Sequence, residues 1–98
     1  MSDDFFARPP FHAAEALATL KRSLRDLKLT EREGVFELRS QAVARLVLEG
    51  EGTIRAQLAK RLTRAPEWEA RLLCSQADVR KFTDELKQRL ARWSDRDD

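Results

Sequence analysis

The sequence has few of the residues on which disulfide-rich domains and many enzyme sites depend. Among its 98 residues there is one cysteine and one histidine, with three glycines, three prolines and no tyrosine. The single cysteine, Cys74, cannot form an internal disulfide, so nothing indicates an oxidising compartment. The low glycine and proline content excludes collagen-like and low-complexity chains. The chain must therefore fold around an ordinary hydrophobic core.

The sequence also lacks a long apolar run. No stretch approaches the roughly 20 consecutive apolar residues that a membrane-spanning helix needs. The first residues, MSDDFFARPPFH, are acidic and interrupted by prolines, whereas a signal peptide begins with basic and then apolar residues. We therefore expect a soluble, cytoplasmic protein that does not contact membranes.

Groups for catalysis are scarce. His12 has no second histidine to accompany it, and Cys74 stands alone, so neither belongs to a recognisable metal or nucleophile motif. The sequence contains no CxxC, HExxH, GxSxG or phosphate-binding glycine loop. We therefore predict a protein that is not an enzyme, with no catalytic residues, no cofactor and no metal site.

The sequence divides into an N-terminal arm, a central domain and a C-terminal tail. Pro9 and Pro10 close the segment 1–10, which we predict to be a flexible N-terminal arm. Residues 94–98 are predicted to be a disordered acidic tail. Residues 11–93 hold 17 basic and 12 acidic side chains, a net charge of +5, and their length suits one domain.

Both ends of this domain show the periodicity of an amphipathic helix. After Phe11, apolar residues recur every three or four positions, at Ala13, Leu17, Leu20, Leu24 and Leu27. Ser75 and Asp78 form a capping box, which predicts a second helix over residues 76–93. Its apolar stripe consists of Val79, Phe82, Leu86, Leu90 and Trp93.

Between the helices, residues 35–74 alternate with a period of two. Fourteen of the twenty even positions are apolar, and ten of the twenty odd positions are charged. Such alternation is typical of a sheet with one buried face. A three-residue loop at Gly50–Gly52 would place Leu48 opposite Ile54 and so keep apolar residues on one face. The pattern predicts four antiparallel strands in a meander.

We therefore predict an α+β fold: an N-terminal helix, a four-stranded antiparallel meander and a C-terminal helix, with both helices on one face of the sheet. An all-α helical bundle is the alternative. Val35, Leu38 and Leu46 also fit one face of a helix, and Thr30 with Glu33 could cap it.

Two surfaces could bind partners. On the odd-numbered face, valines and a leucine stand among arginines, which predicts a protein partner or a homodimer. The predicted partner-binding residues are Val43, Arg45, Val47, Arg55, Arg71 and Leu73. The alternative is nucleic-acid binding through an arginine-rich surface, because basic side chains attract phosphates without reading sequence. We thus expect a small interaction module, and the sequence does not identify its pathway.

Overall fold

Two helices and five strands make up the structure, a computed structural model that describes residues 11–50 and 52–96. In chain order the elements are α1 (Ala13–Asp26), β1 (Thr30–Arg32), β2 (Val35–Leu38), β3 (Gln41–Glu49), β4 (Thr53–Ala59), β5 (Trp68–Leu73) and α2 (Gln76–Arg96). The predicted α+β class is confirmed, and residues 35–74 do not form the alternative helical bundle. In the described part of the chain, no helix is long and apolar enough to cross a membrane.

The sheet is an antiparallel meander in the order β1-β2-β3-β4-β5, with one strand more than predicted. The additional strand, β1, pairs with β2 through a two-residue turn at Glu33 and Gly34, which have φ values of 52° and 84°. Two positive φ values are typical of a type I′ hairpin turn. A Cβ atom at Gly34 would lie 2.8 Å from the carbonyl oxygen of Leu46, so the turn requires glycine for two reasons.

A β-bulge interrupts the pairing of β2 with β3. Phe36 lies opposite Ala44 and Glu37 lies opposite Ala42, so Val43 is the extra residue. The bulge buries Val43 together with its neighbour Ala44. The prediction that Val43 lies on the exposed face is therefore wrong, because strict alternation does not hold through a bulge.

The central hairpin agrees with the prediction. β3 pairs with β4 across the loop at residues 50–52, and Leu48 lies opposite Ile54. The even positions Leu46, Ala56 and Leu58 of this hairpin are buried. The three-residue loop thus keeps even-numbered residues facing even-numbered residues.

The register changes at β5, after the eight-residue connection at 60–67. Ala56 lies opposite Arg71 and Ile54 lies opposite Leu73, so even positions of β4 face odd positions of β5. Arg71 and Leu73 therefore share the face of the buried residues, and placing them on the exposed face was wrong. The sequence pattern also predicts Cys74 inside, whereas it is exposed.

Both helices cover the same face of the sheet. α1 contacts β3 and β4, α2 contacts β5, and the two helices contact each other. One core joins all these elements, and its largest fully buried side chains are Phe36, Phe82, Leu20, Leu24, Ile54, Leu58, Leu86 and Val43. The side of the sheet opposite the helices is left without a covering element from the described residues.

Ser75 caps the start of α2 as expected, whereas Asp78 binds the amide of Cys74 and not that of Ser75. The amide of Asp78 donates to Ser75 Oγ (3.1 Å), and Asp78 Oδ2 accepts from the amide of Cys74 (2.9 Å). At its other end α2 continues to Arg96, so residues 94–96 of the predicted tail are helical. Residues 97–98 and the predicted arm at 1–10 lie outside the described residues.

Candidate functional site

The side of the sheet that faces away from the helices is the candidate binding surface, here called the outer face. The strand registers fix its members, because directly paired residues point to the same side. Its residues on β1 to β3 are Thr30, Arg32, Val35, Glu37, Ala42, Arg45, Val47 and Glu49. Those on β4 and β5 are Thr53, Arg55, Gln57, Ala59, Trp68, Ala70 and Leu72, of which Ala59 is fully buried.

The structure brings together three of the six predicted partner-binding residues. Arg45, Val47 and Arg55 lie exposed on the outer face. The other three do not join them, since Val43 is buried at the bulge, Leu73 is in the core and Arg71 faces α2.

Three residues of β5 that the sequence pattern assigned to the core, Trp68, Ala70 and Leu72, lie on the outer face instead. A signal for this exchange is present in the sequence. Glu69 and Arg71 are about 7 Å apart along a strand. Glu85 and Arg89 are about 6 Å apart along a helix, so each charged residue of β5 could bind an opposite charge on α2.

The most apolar part of the outer face is a row across three strands. Val47 lies opposite Arg55, and Arg55 lies opposite Leu72. The exposed fractions are 56% for Val47 and 60% for Leu72. Arg55 Nε is 2.7 Å from Glu49 Oε1, so the charge in the middle of the row is already paired. The row therefore offers apolar surface around a neutralised ion pair.

Arg45 and Trp68 form the second feature of the outer face. The guanidinium of Arg45 lies 5.5 Å from the centroid of the Trp68 ring. Because Arg45 pairs with Gln57 and Trp68 pairs with Ala59, the arginine side chain crosses β4 diagonally. A cation over an aromatic face contributes about 0.5–1 kcal/mol at an exposed site, so this contact holds both side chains in place.

On the opposite side of β5, four charged residues form a network with α2. Arg71 Nη2 and Nε donate to Glu85 Oε2 and Oε1 at 2.7 and 3.2 Å. Arg89 bridges Glu69 (2.5 Å) and Glu85 (3.0 Å) and also donates to the carbonyl of Ala59 (2.8 Å). The two acidic and two basic residues neutralise one another and fix α2 to β5.

The pKa directions are explained by these contacts. The hydrogen bond from Arg89, with its charge and that of Arg71, lowers the pKa of Glu69 below its ordinary value. The hydrogen bond to Glu85 raises the pKa of Arg71 further above its already high value. Glu69 and Arg71 are therefore both charged at neutral pH.

A second ionic contact fixes α1 to the edge strand β1. Glu31 binds Lys21 (3.2 Å) and Arg25 (2.6 Å), both on α1. Partial burial raises the pKa of Glu31, but the hydrogen bonds and charges of Lys21 and Arg25 outweigh it, so the pKa is lowered. Like the network at β5, this contact attaches a helix to the inner face of the sheet.

The two helices border a cleft that contains His12. This cleft of about 240 Å³ between α1 and α2 is lined by His12, Thr19, Gln76 and Thr83 among others. Cys74 lies elsewhere, with its Sγ 3.7 Å from Thr53 Oγ1. Among residues 11–50 and 52–96, no group of three histidine, cysteine or acidic side chains could hold a metal ion.

Comparisons of this chain with protein-family models, with curated proteins and with solved structures find no match.

Proposed function

We propose that this protein is a small, non-enzymatic module that binds a partner protein through the outer face of its sheet. The observation that carries the proposal is the exposed row of Val47 and Leu72 on either side of the paired Arg55. Exposed apolar side chains that lie together and are bordered by polar groups mark interaction surfaces more often than isolated ones do.

The chemistry of the outer face suits a protein surface. Protein interfaces are enriched in tryptophan and arginine and depleted of unpaired charge at their centre. Here the ion pair of Arg55 with Glu49 removes net charge from the apolar row. Arg45 and Trp68 border the row, and the contact between them reduces the entropy that each would lose on binding.

Site-specific photocrosslinking in the native host tests this proposal. A benzophenone amino acid at Val47 should give an adduct of one discrete mass, because the side chain would lie in the interface. Arg80, exposed on α2, is the matched control position. Leu72→Glu should abolish the adduct from position 47. Failure to form an adduct at position 47, or the same adducts from both positions, would contradict the proposal.

Light scattering of the purified protein then shows whether the partner on this face is a second copy. If the outer face self-associates, the molar mass should fall to that of a monomer in Val47→Glu, because burying the new carboxylate without a partner is costly. A mass unaffected by Val47→Glu would leave a different protein as the partner on this face.

Nucleic-acid binding is a second candidate, favoured by the placement of Trp68 beside Arg45 on the outer face. Arg61 and Arg64, on the connection before β5, are exposed and make no ion pair within the described residues. Aromatic rings beside unpaired cations are typical of surfaces that bind single strands.

This candidate predicts a salt-dependent affinity. Three phosphate contacts would give a slope of log K against log salt of about −2 for single-stranded DNA. Arg45→Ala should make the slope less steep, by about 0.7. Titration of labelled single-stranded oligonucleotides at low ionic strength measures both, and no binding there would exclude this candidate.

A further inference from the structure

The free edge of β5 is a second surface, which adjoins the outer face at Trp68 and Leu72. β5 is a six-residue strand at the end of the sheet order, and no other strand of the described residues pairs with its free side. The other edge strand, β1, has only three residues. Proteins commonly protect edge strands with prolines, bulges or short length. β5 contains no proline, and its register with β4 is regular.

The main-chain groups at this edge can be assigned from the ladder. The amide of Lys60 donates to the carbonyl of Glu67 at the end of the β4–β5 pairing (2.9 Å). Since hydrogen-bonded and non-hydrogen-bonded pairs alternate, Glu69 and Arg71 bond to β4, while Ala70 points its amide and carbonyl away from it. The amides and carbonyls of Trp68 and Leu72 also point away from β4. In agreement, Arg71 Nη1 donates to the carbonyl of Ala70 (3.0 Å) at an exposed position.

We propose that this edge pairs with the same edge of a second copy, antiparallel, with Ala70 opposite Ala70 on the two-fold axis. A two-fold antiparallel contact that keeps both outer faces on one side can be centred on any residue of β5, and we compare the register centred on Ala70 with its two neighbours, centred on Glu69 and Arg71. Centring on Glu69 places two carboxylates opposite each other, and centring on Arg71 places two guanidinium groups opposite each other. Like charges in these positions destabilise the pair.

Of these three registers, only the one centred on Ala70 places opposite charges together. It places Glu69 of each copy opposite Arg71 of the other, in non-hydrogen-bonded pairs, where side chains are closest. It places Trp68 opposite Leu72 on the outer face, where Leu72 is otherwise 60% exposed. Ala70, which is small and exposed, leaves room at the axis. The amides of Ala70 and Leu72 and the carbonyl of Leu72 gain partners, and the carbonyl of Ala70, which already accepts from Arg71 Nη1, gains a second donor.

This contact uses the edge of β5 and does not depend on the proposed function of the outer face. Disulfide trapping tests both the contact and its register. In a Cys74→Ser background, Ala70→Cys places the two new cysteines in a hydrogen-bonded pair with Cα atoms about 5.5 Å apart, within the range that a disulfide spans. Leu72→Cys is the matched control, because its two copies would be about 13 Å apart in this register.

With oxidised glutathione as the oxidant, Ala70→Cys should yield about tenfold more covalent dimer than Leu72→Cys at equal concentration, since only its geometry suits a disulfide. Adding Val47→Glu should leave that yield unchanged, which separates this contact from the outer face. Light scattering of the wild type should show a dimer that Ala70→Pro dissociates, because proline removes an outward amide. Equal yields from both cysteine variants would overturn the register, and a wild type that is monomeric at every concentration would overturn the contact.

Discussion

The register of β5 can be tested with two adjacent leucines. Leu73 is 2% exposed and belongs to the core, whereas Leu72 is 60% exposed on the outer face. Truncating a core leucine to alanine costs about 2–5 kcal/mol, because the transfer free energy is lost and a cavity remains. Leu73 lies on an edge strand that can partly close the cavity, so we expect about 2–4 kcal/mol for Leu73→Ala. Leu72→Ala should change the free energy of unfolding by less than about 0.5 kcal/mol.

Urea unfolding followed by far-ultraviolet circular dichroism measures both changes. With an m value of about 1.5 kcal/mol/M for a chain of this size, a loss of 3 kcal/mol lowers the midpoint by about 2 M. The m value should stay the same in both variants, which shows that the change is in stability and not in the extent of unfolding. The comparison is made at a protein concentration at which the wild type has the molar mass of a monomer.

The opposite order would refute the reasoning. A one-residue slip of β5 would place Leu72 in the core and Leu73 outside, because a slip of one residue exchanges the two faces of a strand. In that case Leu72→Ala would be the costly substitution. Arg71 would then lie on the outer face, as the sequence pattern alone predicts, and it would not reach Glu85. The stabilities of Leu72→Ala and Leu73→Ala therefore show which residues of β5 face the core and which lie on the outer face.

Three further predictions concern turns and acid stability. Gly34→Ala should cost about 2 kcal/mol or more because of its positive φ and close contact, whereas Gly52→Ala, with open space around it, should be nearly neutral in the same urea assay. Ser40→Gly should stabilise the protein by about 0.5 kcal/mol, seen as a higher midpoint, because Ser40 has a φ of 71°. Since the pKa values of Glu31 and Glu69 are lowered from 4.5, the stability that they contribute is present above pH 4.5 and lost as the pH falls through their folded values. Thermal unfolding from pH 6 to pH 3 should show a smaller drop in Tm for Glu69→Gln than for the wild type.

The sequence was sufficient where short-range rules determine the structure. The capping box at Ser75 and Asp78 located the start of α2, and its apolar stripe identified the side that packs on the core. The loop at 50–52 determined the register of the central hairpin, because an odd number of loop residues preserves the alternation. Both features depend on residues that are close in the chain.

The features that the sequence could not predict depend on distant contacts or on very short segments. β1 has three residues, too few for a periodic pattern, and the capping pair at Thr30 and Glu33 favoured a helix there. At β5, the alternation of WEARLL predicts that Trp68, Ala70 and Leu72 lie inside, and the structure has the opposite phase. Contact with α2 favours the phase that places Glu69 and Arg71 inside. Alternation along the strand does not take this contact into account, because α2 is a separate element. As a result Trp68 and Leu72 were assigned to the wrong face.

The charged residues of β5 determine how its free edge behaves. Inward-pointing charges on an edge strand are one way in which proteins prevent edge-to-edge aggregation, since a strand added at that edge would bury them. The charges of Glu69 and Arg71 do not protect the edge in this way, because Arg89 and Glu85 of α2 neutralise them. Their order along the strand is also self-complementary, so it disfavours pairing in the two neighbouring registers and permits it in one. A strand that is protected only against aggregation does not need charges in a self-complementary order. The register of the trapped dimer therefore tests the role of Glu69 and Arg71 more directly than the presence of a dimer does.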